Sequence, residues 1–274
     1  MKGIILAGGF GSRLDPLTKV VCKQLLPVYN KPMIYYPLSS LMLAGIRDIL
    51  VITTKIDLPA FQRLLDDGAR WGLKIQYAIQ DQPRGVAEAF LIGAEFIGQD
   101  PCALILGDNF FYRDGLQLML SNARIEVEKK GGAVVFSYRV ADPKQYGVIE
   151  FEALSSTSIN EGSSKIISIE EKPELPKSNH AILGMYFYDS SIVSKAKNVR
   201  PSVRGELEIS DINREYLKAD RLKCVRLGRG AAWFDMGTPD SLLDAAQFVA
   251  TLERRQGLRI GDLSEISEHM GFHS

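Results

Sequence analysis

Residues 4–7 (Ile4, Ile5, Leu6 and Ala7) form an unbroken apolar run that passes directly into Gly8, Gly9, Phe10 and Gly11. That junction constrains the fold more than any other feature of the chain. A short run with no polar face reads as a buried strand, and glycines at its exit read as a tight turn into the next element. Backbone amides freed of side chains in such a loop can close on phosphate oxygens. Arg13 follows at once and Lys23 soon after, two cations suited to a triphosphate whose charge must be neutralised before it reacts. Two familiar phosphate loops are excluded. A dinucleotide fingerprint needs a third glycine where Leu14 stands, and a P-loop needs a lysine and a hydroxyl residue where the chain has Ser12 and Arg13. For the glycines alone, a turn that binds nothing is the bland alternative.

The run at 4–7 is the first of several. Residues 48–54 and 102–106 carry further apolar strands, and 73–79 alternates. Between them 37–45, 58–67 and 85–97 read as helices, the first with Pro37 at its start and Gly45 at its end. A strand and a helix in every ~25 to 30 residues is the rhythm of βαβ crossovers and a mainly parallel sheet. After about residue 130 the pattern turns strand-rich: 133–138, 147–152, 165–170 and 182–188, with 153–164 as a polar hairpin tip. Residues 241–255 return to helix with an apolar stripe wide enough for a core or a partner subunit. No repeat or linker interrupts the chain, which favours one α/β domain with an inserted mixed sheet.

Lys plus Arg and Asp plus Glu both number 33 in 274 residues, so no overall field attracts nucleic acid or an acidic membrane, and any anion site must be local. Cys22, Cys102 and Cys224 are sparse and far apart, which suggests reduced thiols rather than a disulfide framework. His180, His269 and His273 form no zinc pattern, and the last two read as part of a solvated tail. No apolar run approaches the ~18 residues of a membrane span, and the start of the chain is too short for a signal-peptide core. The expectation is a cytoplasmic protein with no membrane or nucleic-acid partner.

Five stretches carry candidate chemistry. Asp108 follows the strand 102–106 through Gly107, where ligands bind in open α/β sheets, and a carboxylate there suits Mg²⁺; it also suits a plain turn. Asp235 ends the aromatic stretch Trp233, Phe234. If it meets Asp108 the two could grip one metal; otherwise it caps the next helix, although Thr238 ahead of Pro239 is the better cap. Glu171 and Lys172 sit at a strand end before Pro173, and face opposite sides unless the chain bends. They suit sugar hydroxyls and a phosphate, or a solvated charge cluster. Arg204 precedes a helix start, as an anion site or a partner of Glu208. Gln80, in the loop 80–85, offers both donor and acceptor to a nucleobase edge, as loop polarity alone would also allow.

Taken in order, Gly-Gly-x-Gly-Ser-Arg-Leu, Lys-Gln-Leu-Leu-Pro, Lys-Pro-Met-Ile, Gly-Asp-Asn, Tyr-Gly-Val, Glu-Glu-Lys-Pro, Arg-Gly-Glu-Leu-Glu and Trp-x-Asp-x-Gly resemble the sugar-phosphate nucleotidylyltransferases from Lys2 to about Gly257. The resemblance implies a single Rossmann-like α/β domain (1–257) with a mixed, mainly parallel central sheet and an inserted smaller sheet. Residues 1–130 would serve mainly the nucleotide and 131–240 mainly the sugar, with 258–274 as a tail. It implies Mg²⁺-assisted reaction of a nucleoside triphosphate, dTTP, with glucose 1-phosphate. UTP or CTP, or a silent sugar-nucleotide-binding regulator, are the alternatives. Carried over by motif, Leu6, Gly8, Gln80, Pro83 and Gly85 would contact the base, and Gly11, Ser12 and Arg13 the triphosphate. Lys23 would lie on the phosphate path, and Asp108 and Asp235 would hold the metal. Tyr146, Gly147, Glu171 and Ile182 would surround the sugar, and Lys172 and Arg204 would hold its phosphate. Arg13, Lys23, Asp108 and Lys172 would be catalytic. Similar proteins are homotetramers with a second, inhibitory site. Ser12 replaces the usual Thr, Met236 a Thr, His180 a Tyr, and Arg84 an acidic or neutral residue.

Overall fold

The computed structural model describes residues 1–152 and 165–272. The expected hairpin tip at 153–164 and His273 lie outside the described residues. The chain opens with β1 (Lys2–Ala7), passes through short 3-10 turns and the small hairpin β2 (Pro27–Val28) and β3 (Lys31–Pro32), and enters α1 (Tyr35–Leu43). There follow β4 (Asp48–Thr53), α2 (Leu58–Leu65), β5 (Lys74–Ile79), α3 (Glu88–Ile92), α4 (Ala94–Ile97), β6 (Cys102–Leu106), β7 (Asn109–Tyr112) and α5 (Leu116–Lys130). The second half runs β8 (Ala133–Arg139), β9 (Gly147–Phe151), β10 (Ile166–Glu171), β11 (His180–Tyr188), α6 (Ile192–Asn198), α7 (Ile209–Lys218), β12 (Leu222–Leu227), β13 (Ala232–Asp235), α8 (Pro239–Gln256) and α9 (Leu263–His269).

The main sheet has the order β10-β9-β11-β6-β1-β4-β5, with β8 and then β12 joining through β11. The strands β6, β1, β4 and β5 are mutually parallel. The strand-rich second half extends this sheet, since β11 pairs antiparallel with β6, β8 and β9. The smaller sheet is the antiparallel pair β7 and β13. Strands β1, β4 and β6 are mostly apolar because both faces are covered, whereas the edge strand β5 alternates, with Lys74 and Gln76 exposed. Leu38, Leu41, Phe61, Leu120 and Phe136 pack one face, and Phe90, Ile97, Ile192, Ile212 and Tyr216 the other.

Some boundaries differ from the sequence reading. Helix α1 starts at Tyr35, two residues before Pro37. The helix read over 85–97 is split at Gly93 and starts only at Glu88, because 84–87 is held in backbone hydrogen bonds with Leu207. The stretch after Gly257 is not merely a tail: Leu263 and Phe272 enter the main core. His269 is exposed, as expected.

Candidate active site

The strand order reverses at β1: the chain first adds β4 and β5 on one side, then returns to add β6 on the other. A crevice opens beyond the carboxyl ends of strands at such a point. Here its two lips are the glycine loop after β1 and the Gly107-Asp108 turn after β6. Leu6, Gly11, Ser12, Arg13, Lys23 and Asp108 line one hollow of about 390 Å³. It shares Arg13, Leu106, Asp108 and Glu206 with an adjoining cleft of about 210 Å³ that also takes in Tyr146, Gly147, Glu171, Lys172, Ile182, Arg204 and Asp235.

Asp108 is the hub. The buried Lys23 ammonium donates to its carboxylate, and Asn109 Nδ2 donates to its Oδ1 at 3.0 Å. Burial acts to raise its pKa, but the Lys23 charge and these hydrogen bonds outweigh it and hold the carboxyl below its usual range. Asn109 itself is 2 % exposed and accepts from Trp233 Nε1 at 2.7 Å and from the Gly184 amide at 3.1 Å. It ties the turn to β13 and β11. Asn109 belongs to the Gly-Asp-Asn motif, but its role is not legible in the sequence, because the partners that fix it are far away along the chain.

Asp235 reaches the same place through the β7–β13 pairing, which sets it opposite Asn109. The Met236 amide also bonds the Asp108 carbonyl. Arg13 closes on it: a Cβ at Gly237 would lie 2.8 Å from the Arg13 guanidinium and 2.9 Å from Asp235 Oδ1. Burial and then the Asp108 charge push Asp235 up to about 6, against the pull of Lys23, Arg13 and Lys172. The cap reading of Asp235 is set aside, since Thr238 caps α8 with Pro239 at the first helical position.

Glu171 and Lys172 line one cleft. Lys172 takes a left-handed conformation, φ 43°, and its amide bonds the Tyr146 carbonyl, so the strand alternation ends between them. Gly147 lies against Ser210 and Glu171. Glu171 accepts a hydrogen bond from Ser210 Oγ; burial nevertheless raises its pKa, helped by Glu208. Arg204 forks onto Glu208 at 2.8 and 3.0 Å and stands 3.8 Å from Glu171. The Glu208 pairing considered from sequence therefore exists, beside the cleft rather than instead of it. Ser210 and Glu208 were missed as site residues, although the Arg-Gly-Glu-Leu-Glu motif contains one of them. Tyr146 stacks edge-on against Trp233 at 5.1 Å.

On the other side of the glycine loop, Gln80 and Gly9 border a further hollow together with Lys23, Thr54 and Asp81. Gly8 lies directly against the Gln80 side chain. Pro83 is exposed in the loop, and Gly85 sits on the Leu207 backbone. Among the described residues no group of three or more His, Cys, Asp or Glu side chains is placed to hold a metal, and no helix is long and apolar enough to cross a membrane.

The family model described as nucleotidyl transferase matches residues 2–251. The chain belongs to the nucleotidyl transferase family. It is 53% identical over 272 residues to a glucose-1-phosphate thymidylyltransferase of Mycolicibacterium smegmatis, covering 99% of this chain and 90% of that protein. It is 54% identical, with the same coverage, to one of Neisseria gonorrhoeae. Among solved structures, UDP-glucose pyrophosphorylase complexed with UDP-glucose matches this nucleotidyl transferase with a TM-score of 0.77 at 26% identity, over 91% of this chain and 98% of that one.

Proposed function

We propose that this nucleotidyl transferase joins dTTP to glucose 1-phosphate, giving dTDP-glucose and pyrophosphate. The observation that carries the reading is the gathering of Arg13, Asp108, Lys172, Arg204 and Asp235 around one cleft at the switch point of the sheet, in a chain about half identical to enzymes of that name. An anionic oxygen of the sugar phosphate attacks the α-phosphorus. The new O–P bond forms as the bond to the β-phosphate oxygen breaks, and pyrophosphate leaves with its charge. The nucleophile is already deprotonated, so no general base is required. Arg13 draws off charge from the departing pyrophosphate, Lys23 follows the phosphates, and Lys172 and Arg204 hold the sugar phosphate. Glu171 and Tyr146 orient sugar hydroxyls.

Two carboxylates sharing a buried cleft, one raised by the other's charge, are a hard oxygen donor pair that fits Mg²⁺, which takes one or two carboxylates plus substrate phosphates. Asp108 and Asp235 would hold it, and when bound it neutralises phosphate charge. Residues 1–130 serve mainly the nucleotide and 131–240 mainly the sugar. The protein works in the cytoplasm as a homotetramer with allosteric control. UTP is the runner-up triphosphate, because a structural neighbour is a UDP-glucose complex.

Pyrophosphate release with glucose 1-phosphate, Mg²⁺ and a panel of dTTP, UTP, CTP and ATP tests the reading. The largest kcat/KM with dTTP is expected. Release with none of them would overturn it.

A further inference from the structure

Gln80 is 3 % exposed and Glu88 6 %, and the two are joined by a buried hydrogen bond, Gln80 Nε2 to Glu88 Oε2, at 2.8 Å. Glu88 gathers two further donors, the Arg84 amide at 3.2 Å and Arg84 Nε at 2.9 Å. A carboxylate surrounded by donors can only accept. Turning the Gln80 amide over would set its oxygen against the Glu88 oxygen, two acceptors at contact with no proton between them, in a place closed to water. The amide therefore has one orientation, fixed by chemistry rather than by assignment of like-looking atoms. Its oxygen lies on the Gly8 side, so close that a Cβ on Gly8 would come within 2.2 Å of Gln80 Oε1. Only a glycine at position 8 leaves room for that oxygen beside the loop that follows β1.

We infer that Glu88 is a positioning residue for base selection: it locks Gln80 with its carbonyl oxygen toward the nucleobase, so that the site takes bases carrying an N–H at N3 and turns away cytosine, whose N3 is an acceptor. The inference rests on the proposed reading that the base lies at Gln80. Thymine and uracil both present an N3–H between two carbonyls, so Glu88 sets pyrimidine class and leaves the 5-methyl to other contacts. A site built around one donor discriminates strongly, because the wrong base leaves a buried acceptor facing another acceptor. Replacing Glu88 by Gln keeps the shape but supplies an amide that can donate as well as accept, which frees Gln80 to turn.

The test compares kcat and KM for dTTP, UTP and CTP, with glucose 1-phosphate and Mg²⁺, in wild type, E88Q and R84A. In E88Q the dTTP-over-CTP ratio of kcat/KM is expected to fall about tenfold, the size of one hydrogen bond, through KM with kcat little changed. R84A removes the ion pair, keeps the Gln80 contact, and is expected to retain the wild-type ratio. An unchanged ratio in E88Q, or an equal loss in R84A, overturns the proposal. Wild type with N3-methyl dTTP supplies a test that needs no folded variant: strong rejection supports the proposal, and use as good as that of dTTP overturns it. A wild type that releases no pyrophosphate with any triphosphate overturns the reading of the site; one that is active while E88Q keeps its selectivity overturns this inference alone.

Discussion

Asp235 shows what two carboxylates sharing one cleft do to each other. Its carboxyl is pushed from an ordinary value near 3.8 to about 6. The fold therefore favours the protonated form. The fold is free of this penalty below pH ~4, loses stability as pH rises through about 6, and carries the full penalty above it. Asp235→Asn removes the charge in place. In chelator, that variant is expected to be more stable than wild type at pH 8 by about 1–3 kcal/mol, with the gain vanishing near pH 4. Thermal melts across pH check it, and a gain at pH 4 equal to that at pH 8 would refute the assignment of cause. Activity should fall as stability rises, the trade expected where a site stores repulsion. Sequence made both aspartates visible as candidates after strand ends. What it could not reveal was that Asn109, next to one and paired with the other, brings them together.

At the level of elements, legibility followed burial. The parallel strands β1, β4 and β6 are apolar because water is excluded from both faces, and each was readable as a run. Helix α5 was not read at all. It begins after Gly115 with no side-chain cap and buries only Met119, Leu120, Ala123 and Val127, too thin a stripe between its charges. Strand β12 is not legible either, as a half-exposed strand that among the described residues pairs with β8 alone. Helix α8 was read correctly because its start signal is local: Thr238 and Ser241 form a reciprocal cap. Thr238→Ala is expected to lower stability by about 1 kcal/mol, measured by urea titration. Helix α9 shows the opposite case, where tertiary packing turns an apparent tail into core. Leu263 is 2 % exposed, and Leu263→Ala is expected to destabilise by about 2–4 kcal/mol. A neutral result would mean that the segment is not docked in solution.

For the molecule as a whole, the order of motifs along the chain carried more than any one of them. Each was ambiguous alone, since Arg204 does pair with Glu208 and Glu171 does sit in a charge cluster. The common address of Arg13, Asp108, Tyr146, Glu171, Lys172, Arg204 and Asp235 is a property of topology, since the sheet reverses direction at β1 and these residues line the cleft beyond that point. Assembly is less legible, because the buried side of α8 (Ala245, Val249) packs on the chain's own Tyr36, Phe110 and Met236 and so explains the stripe without a partner. Light scattering is expected to give a particle of four chains; a monomer at working concentration would contradict the proposed tetramer.

The convergence of Asp108 and Asp235 with the surrounding cations is tested most directly by the turnover of Asp108→Asn, measured as pyrophosphate release under saturating dTTP, glucose 1-phosphate and Mg²⁺, on protein whose melting shows it folded. The account predicts a fall of about 100-fold or more, the scale of losing one central electrostatic group. Turnover equal to wild type would contradict it.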